Sequence, residues 1–149
     1  MIGILIVTHE NLGEAFISAA ELLLDFKIQG VMSISVNLKE NIVSLRKKII
    51  EGINKVDQKK GVLILTDLFG QTPSNLSYSL LEDGYVEVLA GMNLSIFLKA
   101  IECREGIKLK DLALMLEIFG KKNILLGSKI LRGNKRRQKN GLSQTSNSR

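Results

Sequence analysis

The chain has 149 residues, of which 45% are hydrophobic and 24% charged, so it can bury the core of one domain and is not disordered throughout. Its formal net charge of +6 is confined to one end. Six basic and no acidic residues lie from Arg132 onward, and the preceding residues carry 15 of each sign. Because aromatic residues are only 5% of the chain and none lies in this tail, the composition argues against nucleic-acid binding.

The single cysteine, Cys103, excludes an intramolecular disulfide and a cysteine-based metal cluster. No apolar run approaches the roughly 18 residues that span a bilayer, and the apolar start lacks a basic leader. We therefore expect a cytoplasmic protein without membrane insertion, and predict neither a metal nor a cofactor.

Short apolar runs alternate along the chain with segments whose apolar residues recur every three or four positions. The runs are typical of strands buried on both faces, and the spaced segments of amphipathic helices. In chain order we predict a strand over residues 3–8, a helix over 12–26, a strand over 31–36, a helix over 40–56, a strand over 61–66, a short helix over 73–81, a strand over 85–90, helices over 93–102 and 109–119, and a shorter last strand over 123–131.

This alternation predicts an α/β fold, a doubly wound and mostly parallel sheet with helices on both faces. Such sheets bind ligands beyond the carboxyl ends of the strands, where the strand order reverses. His9 follows the first strand and Asp67 the third. We predict the strand order 2-1-3-4, in which the two residues face one crevice, whereas in the order 3-2-1-4 a strand would separate them.

A histidine and a carboxylate in one crevice are suited to phosphoryl transfer. Neutral imidazole is a nucleophile, and a carboxylate at one ring nitrogen leaves the lone pair of the other free. Each residue also has a simpler interpretation, His9 as an ordinary loop residue and Asp67 as the cap of the following turn. The pair therefore indicates an anion-handling site without naming its reaction.

The residues after Asp67 provide groups for phosphate oxygens. Gly70 permits unusual backbone angles, Thr72 is expected to cap the next helix, and Pro73 suits its first turn. Free amides near Thr72 and Ser74 would meet an anion there.

Three stretches of the chain resemble the mannose-family enzyme IIA domains of the bacterial phosphotransferase system: Ile4 to His9, Leu63 to Asn75 and Val88 to Leu94. The resemblance covers residues 1–131, which we interpret as one phosphocarrier domain, and leaves residues 132–149 as a basic, disordered tail. We interpret that tail as solvated rather than as a contact for a polyanion or a membrane surface.

The resemblance implies that His9 accepts a phosphoryl group from phospho-HPr and passes it to an enzyme IIB-type partner. It also implies that Asp67 hydrogen-bonds His9. The implied phosphate-binding residues are Thr8, Gly70, Gln71, Thr72 and Ser74. The family is dimeric, so the last strand is expected to be antiparallel and exchanged between the two subunits of a homodimer.

Two residues depart from the family pattern: Gln71 replaces a common second glycine, and Glu10 replaces a small residue after His9.

Two alternative functions stay open. The first is a stand-alone regulatory protein whose partner binding is switched by His9 phosphorylation, suggested by the lack of a fused IIB domain. The second, a nucleotide-binding module, is disfavoured because no glycine-rich phosphate motif follows any strand.

Overall fold

The structure is a computed structural model that describes the backbone of residues 1–145 and the side chains of residues 1–141. Its elements in chain order are β1 Gly3–His9, α1 Leu12–Leu24, β2 Val31–Val36, α2 Ile42–Val56, β3 Val62–Thr66, α3 Thr72–Tyr78, β4 Val86–Ala90, α4 Leu94–Cys103, α5 Leu109–Lys122 and α6 Gly127–Thr145. The four strands form one parallel sheet in the order β2-β1-β3-β4. The predicted order 2-1-3-4 is confirmed.

Helices cover both faces of the sheet, because alternate residues of each apolar strand point to opposite sides. On one face Ile4 and Ile6 pack with Phe97 and Leu112, under α1, α4 and α5. On the other face, Leu5 packs in a second core under α2 and α3. This two-sided burial explains why the strands are continuous apolar runs rather than alternating ones.

The start of α1 lies close against the sheet because residue 13 is a glycine. A Cβ on Gly13 would stand 2.7 Å from Cβ of Ser33 and 3.1 Å from Cγ2 of Ile6. Only a residue without a side chain fits this approach, which brings the beginning of α1 to the end of β1.

A buried arginine ties the opposite end of the sheet together. The guanidinium of Arg104 donates to the backbone carbonyls of Gln29 and Gly30. Its own carbonyl accepts the N–H of Ile2. Burial lowers the pKa of Arg104, but an arginine stays charged at any physiological pH.

The sheet ends at β4, which pairs with β3 on one side and, among the described residues, is bridged on the other only at its first residue, where Val86 exchanges two backbone hydrogen bonds with Glu82. Part of its outer edge is occupied by its own side chain, because the Glu87 carboxylate accepts the N–H of Val88 at 3.0 Å. Carboxylates on edge strands are one way in which proteins discourage unwanted pairing.

The prediction of a last strand over residues 123–131 is wrong for this structure. Residues 124–126 are irregular and α6 begins at Gly127. A strand needs a partner for its backbone groups, whereas a helix closes its hydrogen bonds within itself. Among the described residues this segment pairs with no strand, and α6 satisfies the backbone from Gly127 onward.

The expectation of a disordered tail also differs from the structure, since α6 extends through residues 132–145. Lysine, arginine and glutamine favour this helix, whereas Gly133, Asn134, Asn140 and Gly141 within it oppose it. Residues 146–149 of the predicted tail lie outside the described residues. Within the described part of the chain, none of the helices is both long and apolar enough to cross a membrane.

Candidate functional site

His9 is the last residue of β1 and Asp67 directly follows β3, its neighbour in the sheet. Nδ1 of His9 lies 2.8 Å from Oδ2 of Asp67, and the backbone N–H of His9 donates to the same oxygen at 3.0 Å. The predicted contact between the two side chains is confirmed. The doubly wound sheet thus places an imidazole–carboxylate pair at the point where its strand order reverses.

The surroundings of Asp67 favour its ionised form. Partial burial by itself would raise the pKa of Asp67. Asp67 accepts hydrogen bonds from the ring and the backbone of His9, and its Oδ1 accepts the N–H of Leu68 at 3.1 Å. Together these bonds lower the pKa of Asp67 by more than burial raises it. The pKa of Asp67 therefore lies below its ordinary value, and the carboxylate is an anion at neutral pH.

An ionised carboxylate can only accept a hydrogen bond, so Nδ1 of His9 carries the proton of a neutral ring. Nε2 then holds a free lone pair, and it makes no hydrogen bond within the described part of the chain. The His9 side chain is 26% exposed and that of Asp67 only 9%. The imidazole is thus partly exposed to solvent, and the carboxylate that orients it is largely shielded.

Two of the predicted phosphate-binding hydroxyls are engaged inside the protein. Thr8 is fully buried, and its oxygen accepts the N–H of Gly13 at 3.0 Å, which fixes the start of α1. Ser74 is also fully buried; its hydroxyl accepts the N–H of Gln71 and donates to the carbonyl of the same residue. Sequence reasoning missed these structural roles, because spacing does not tell where a hydroxyl points.

The other three predicted residues lie on the loop between β3 and α3. Gly70 adopts φ +81°, a conformation that glycine tolerates best. Gly70 and Gln71 are exposed, and Thr72 is half-buried. The prediction that Thr72 caps α3 is wrong, because Gln71 is the N-cap and Thr72 is the first helical residue. Gln71 has the extended backbone of an N-cap, and its carbonyl accepts the N–H of Asn75 at 2.9 Å.

Glu10, directly after His9, has a backbone conformation that L-residues rarely adopt, with φ +48°. Its side chain is exposed. A left-handed residue here turns the chain sharply from β1 into α1, and for a residue with a side chain that conformation is strained. In the sequence, the only indication of this backbone conformation was a glutamate at a position where the family has a small residue.

Comparison with known proteins agrees with this arrangement. A family model described as EIIA-man, PTS system fructose IIA component, matches residues 3–117. The chain belongs to this EIIA-man family.

Two curated relatives show how far the likeness extends. The PTS system fructose-specific EIIA component of Bacillus subtilis (strain 168) is 38% identical over 74 residues, 49% of this chain and 51% of the relative. The PTS system mannose-specific EIIAB component of Escherichia coli (strain K12) is 32% identical over 105 residues, 70% of this chain and 32% of the relative. The matches thus span about half and about a third of these relatives.

Solved structures share the fold. The phosphotransferase system component EIIA from Streptococcus agalactiae superposes with a TM-score of 0.76 and 28% identity, covering 87% of this chain and 99% of that one. A mannose/sorbose specific IIA subunit from Enterococcus faecalis, at 18% identity and a TM-score of 0.72, covers 84% of this chain and 93% of that one. At 18% identity, the second likeness shows a shared fold alone.

The stabilisation by Asp67 is expected to depend on pH in one direction. Because the pKa of Asp67 is lowered by folding, its contribution is present above the ordinary pKa of an aspartate and is lost as the pH falls through the lowered value. At pH 7 Asp67→Asn should lower the free energy of unfolding by about 1–3 kcal/mol. Urea unfolding at a series of pH values should show this difference shrinking in acid, and a constant difference would contradict the assignment.

Relief of the strain at residue 10 should stabilise the fold. A left-handed L-residue destabilises the folded state by roughly 1–2 kcal/mol. Glycine removes this strain, but its greater freedom in the unfolded chain offsets about 0.5–1 kcal/mol of the gain. Glu10→Gly should therefore raise the free energy of unfolding by about 0.5–1 kcal/mol in urea titrations. The control Glu14→Gly, at an exposed helical position of α1, should lower it by about 1 kcal/mol.

Proposed function

We propose that this chain is a phosphocarrier of a sugar phosphotransferase system, accepting a phosphoryl group on His9 from an HPr-type donor. The observation that carries the proposal is the 2.8 Å contact between Nδ1 of His9 and Asp67. It leaves Nε2 as the nucleophile, at the switch point of the sheet in a member of the EIIA-man family. A cytoplasmic setting stays a prediction.

The bonds that form and break in the transfer involve only the two histidines and the phosphoryl group. The lone pair of Nε2 of His9 forms a bond to phosphorus while the P–N bond of the donor phosphohistidine breaks, and the donor imidazole leaves with that electron pair. The phosphorylated His9 ring keeps its Nδ1 proton and becomes positively charged. The ionised Asp67 stabilises that charge, so it orients the ring before transfer and balances it afterwards.

The phosphoryl oxygens would be received by the loop between β3 and α3. Since the hydroxyls of Thr8 and Ser74 are already engaged, we assign them to shaping the loop and the start of α1. The exposed backbone at Gly70 and Gln71 and the half-buried Thr72 are the remaining groups that we propose to contact the phosphoryl oxygens. This division refines the predicted phosphate-binding set of Thr8, Gly70, Gln71, Thr72 and Ser74.

An apolar rim at the carboxyl ends of the strands supports docking of protein partners. Four large side chains there are 44–76% exposed: Leu12, Leu38, Leu68 and Phe69. They follow β1, β2 and β3, on the same edge of the sheet as His9. Clustered exposed apolar side chains mark interaction sites, and we propose this rim as the contact for the HPr-type donor and the enzyme IIB-type acceptor.

The homodimer stays a prediction. The features that it would bury are the outer edge of β4 and the exposed apolar residues at the start of the C-terminal segment. To form an exchanged strand, residues 127–131 would have to leave α6.

The proposed chemistry is tested by labelling. Incubation with phosphoenolpyruvate, enzyme I and HPr should add one acid-labile phosphate to the chain, measured by intact mass, and His9→Ala should add none. Asp67→Asn should slow labelling at least about ten-fold because the ring loses its orienting anion. The control Asp83→Asn changes an exposed aspartate near the other end of the sheet and should label normally. Full labelling of His9→Ala would exclude the proposal.

The apolar rim is tested at its most exposed member, Phe69, which is 76% exposed. The centroid of its ring lies 5.8 Å from that of Tyr78. Phe69→Ser should raise the KM for phospho-HPr by about ten-fold or more through lost apolar contact. The free energy of unfolding should change by less than about 0.5 kcal/mol. Leu22→Ser, at an 83% exposed position far along α1, is the matched control. An equal KM in both variants would remove the rim from the docking surface.

A further inference from the structure

Glu10 places a carboxylate directly after the residue that the proposed function phosphorylates. Because consecutive Cα atoms are about 3.8 Å apart, every rotamer keeps the Glu10 carboxylate within roughly 12 Å of the His9 ring. The side chain of Glu10 is exposed, and it makes no ion pair within the described part of the chain. Its negative charge therefore acts on any anion that approaches the ring.

The loops at this edge of the sheet hold little positive charge that could offset Glu10. The four segments that leave the strands here are residues 10–11, 37–41, 67–71 and 91–93. Three of them contain neither a lysine nor an arginine. The segment after β2 contributes Lys39, and its Glu40 is paired with Lys48. Sites that hold phosphate groups by charge use arginine or lysine side chains, so this edge is poorly equipped to capture a free phosphate compound.

The backbone of Glu10 is unfavourable for a residue that carries a side chain. Its φ of +48° lies in the left-handed region, where an L-residue is strained and a glycine is not. Strained residues of this kind cluster at active sites and ligand clamps. A strained residue next to the reacting ring, with a charge that no described cation pairs with, indicates a role in the reaction.

We propose that Glu10 is a specificity-determining residue that repels small anionic phosphodonors from His9, so that phosphorylation depends on a donor protein that docks. This inference rests on the proposed function of His9. In water, charges of −1 and −2 about 8 Å apart slow an encounter roughly four-fold at low ionic strength. A donor phosphohistidine meets about half of this repulsion, because its positive ring offsets one of the two phosphoryl charges. Contact with the apolar rim adds binding energy that a small donor lacks.

Acetyl phosphate, a dianionic acyl phosphate, serves as the small donor. The lone pair of Nε2 of His9 forms a bond to phosphorus while the P–O bond to the acetyl group breaks, and acetate leaves with that electron pair. The reaction therefore needs neither enzyme I nor HPr. Its rate is measured as the gain of one phosphate by intact mass, with His9→Ala as the background.

Variants of Glu10 test the charge separately from the shape. At about 10 mM ionic strength Glu10→Gln should raise the rate with acetyl phosphate about four-fold, and Glu10→Lys about fifteen-fold. Both increases should fall below about two-fold in 0.5 M NaCl. Glu10→Asp keeps the charge and should match the unaltered chain. The control Glu82→Gln should do the same, because it removes an exposed carboxylate near the first residue of β4, at the other end of the sheet.

Phospho-HPr as donor shows whether the effect is one of specificity. Glu10→Lys should raise the rate with phospho-HPr only about four-fold, so the preference for phospho-HPr over acetyl phosphate should fall about four-fold. An unchanged preference would overturn the inference. It would equally be overturned by equal rates with acetyl phosphate in all variants, by no labelling in any of them, or by increases that persist in 0.5 M NaCl. If phospho-HPr labels no variant, the proposed function fails, whereas the rates with acetyl phosphate still report on Glu10.

Discussion

The oxygen Oδ2 of Asp67 is the acceptor on which the site depends. It receives both the ring and the backbone N–H of His9, so one carboxylate sets the tautomer of the imidazole and joins the ends of β1 and β3. The pair forms only because these two strands are neighbours in the sheet. A sheet with another strand between them would contain the same residues and no site.

The parts of the fold that could be predicted from the sequence are those fixed by strong local patterns. Continuous apolar runs marked the four parallel strands, and residues placed directly after two of them located His9 and Asp67 at one edge. The last segment was misassigned because five apolar residues within 124–131 suit a strand or a helix equally well. Only the availability of a neighbouring strand decides between these, and that information is not local.

Details of the site were less predictable because they depend on the direction of single side chains. Three small hydroxyl residues beside the site have three different roles. Thr8 holds the start of α1, Thr72 is the first residue of α3, and Ser74 closes the turn before α3. Polar residues that stand next to one another compete for the N-cap position, so the exact cap cannot be read from composition. Backbone strain at Glu10 likewise becomes visible only in the dihedral angles.

The bond between the Glu87 carboxylate and the N–H of Val88 has a consequence for assembly. Any strand laid alongside β4 must first displace this carboxylate from the amide, and the displaced anion must then be rehydrated or find a cation. Association through this edge is therefore an exchange of one acceptor for another rather than a simple gain of hydrogen bonds. An incoming segment that carries a lysine or arginine opposite Glu87 would be selected over a neutral one.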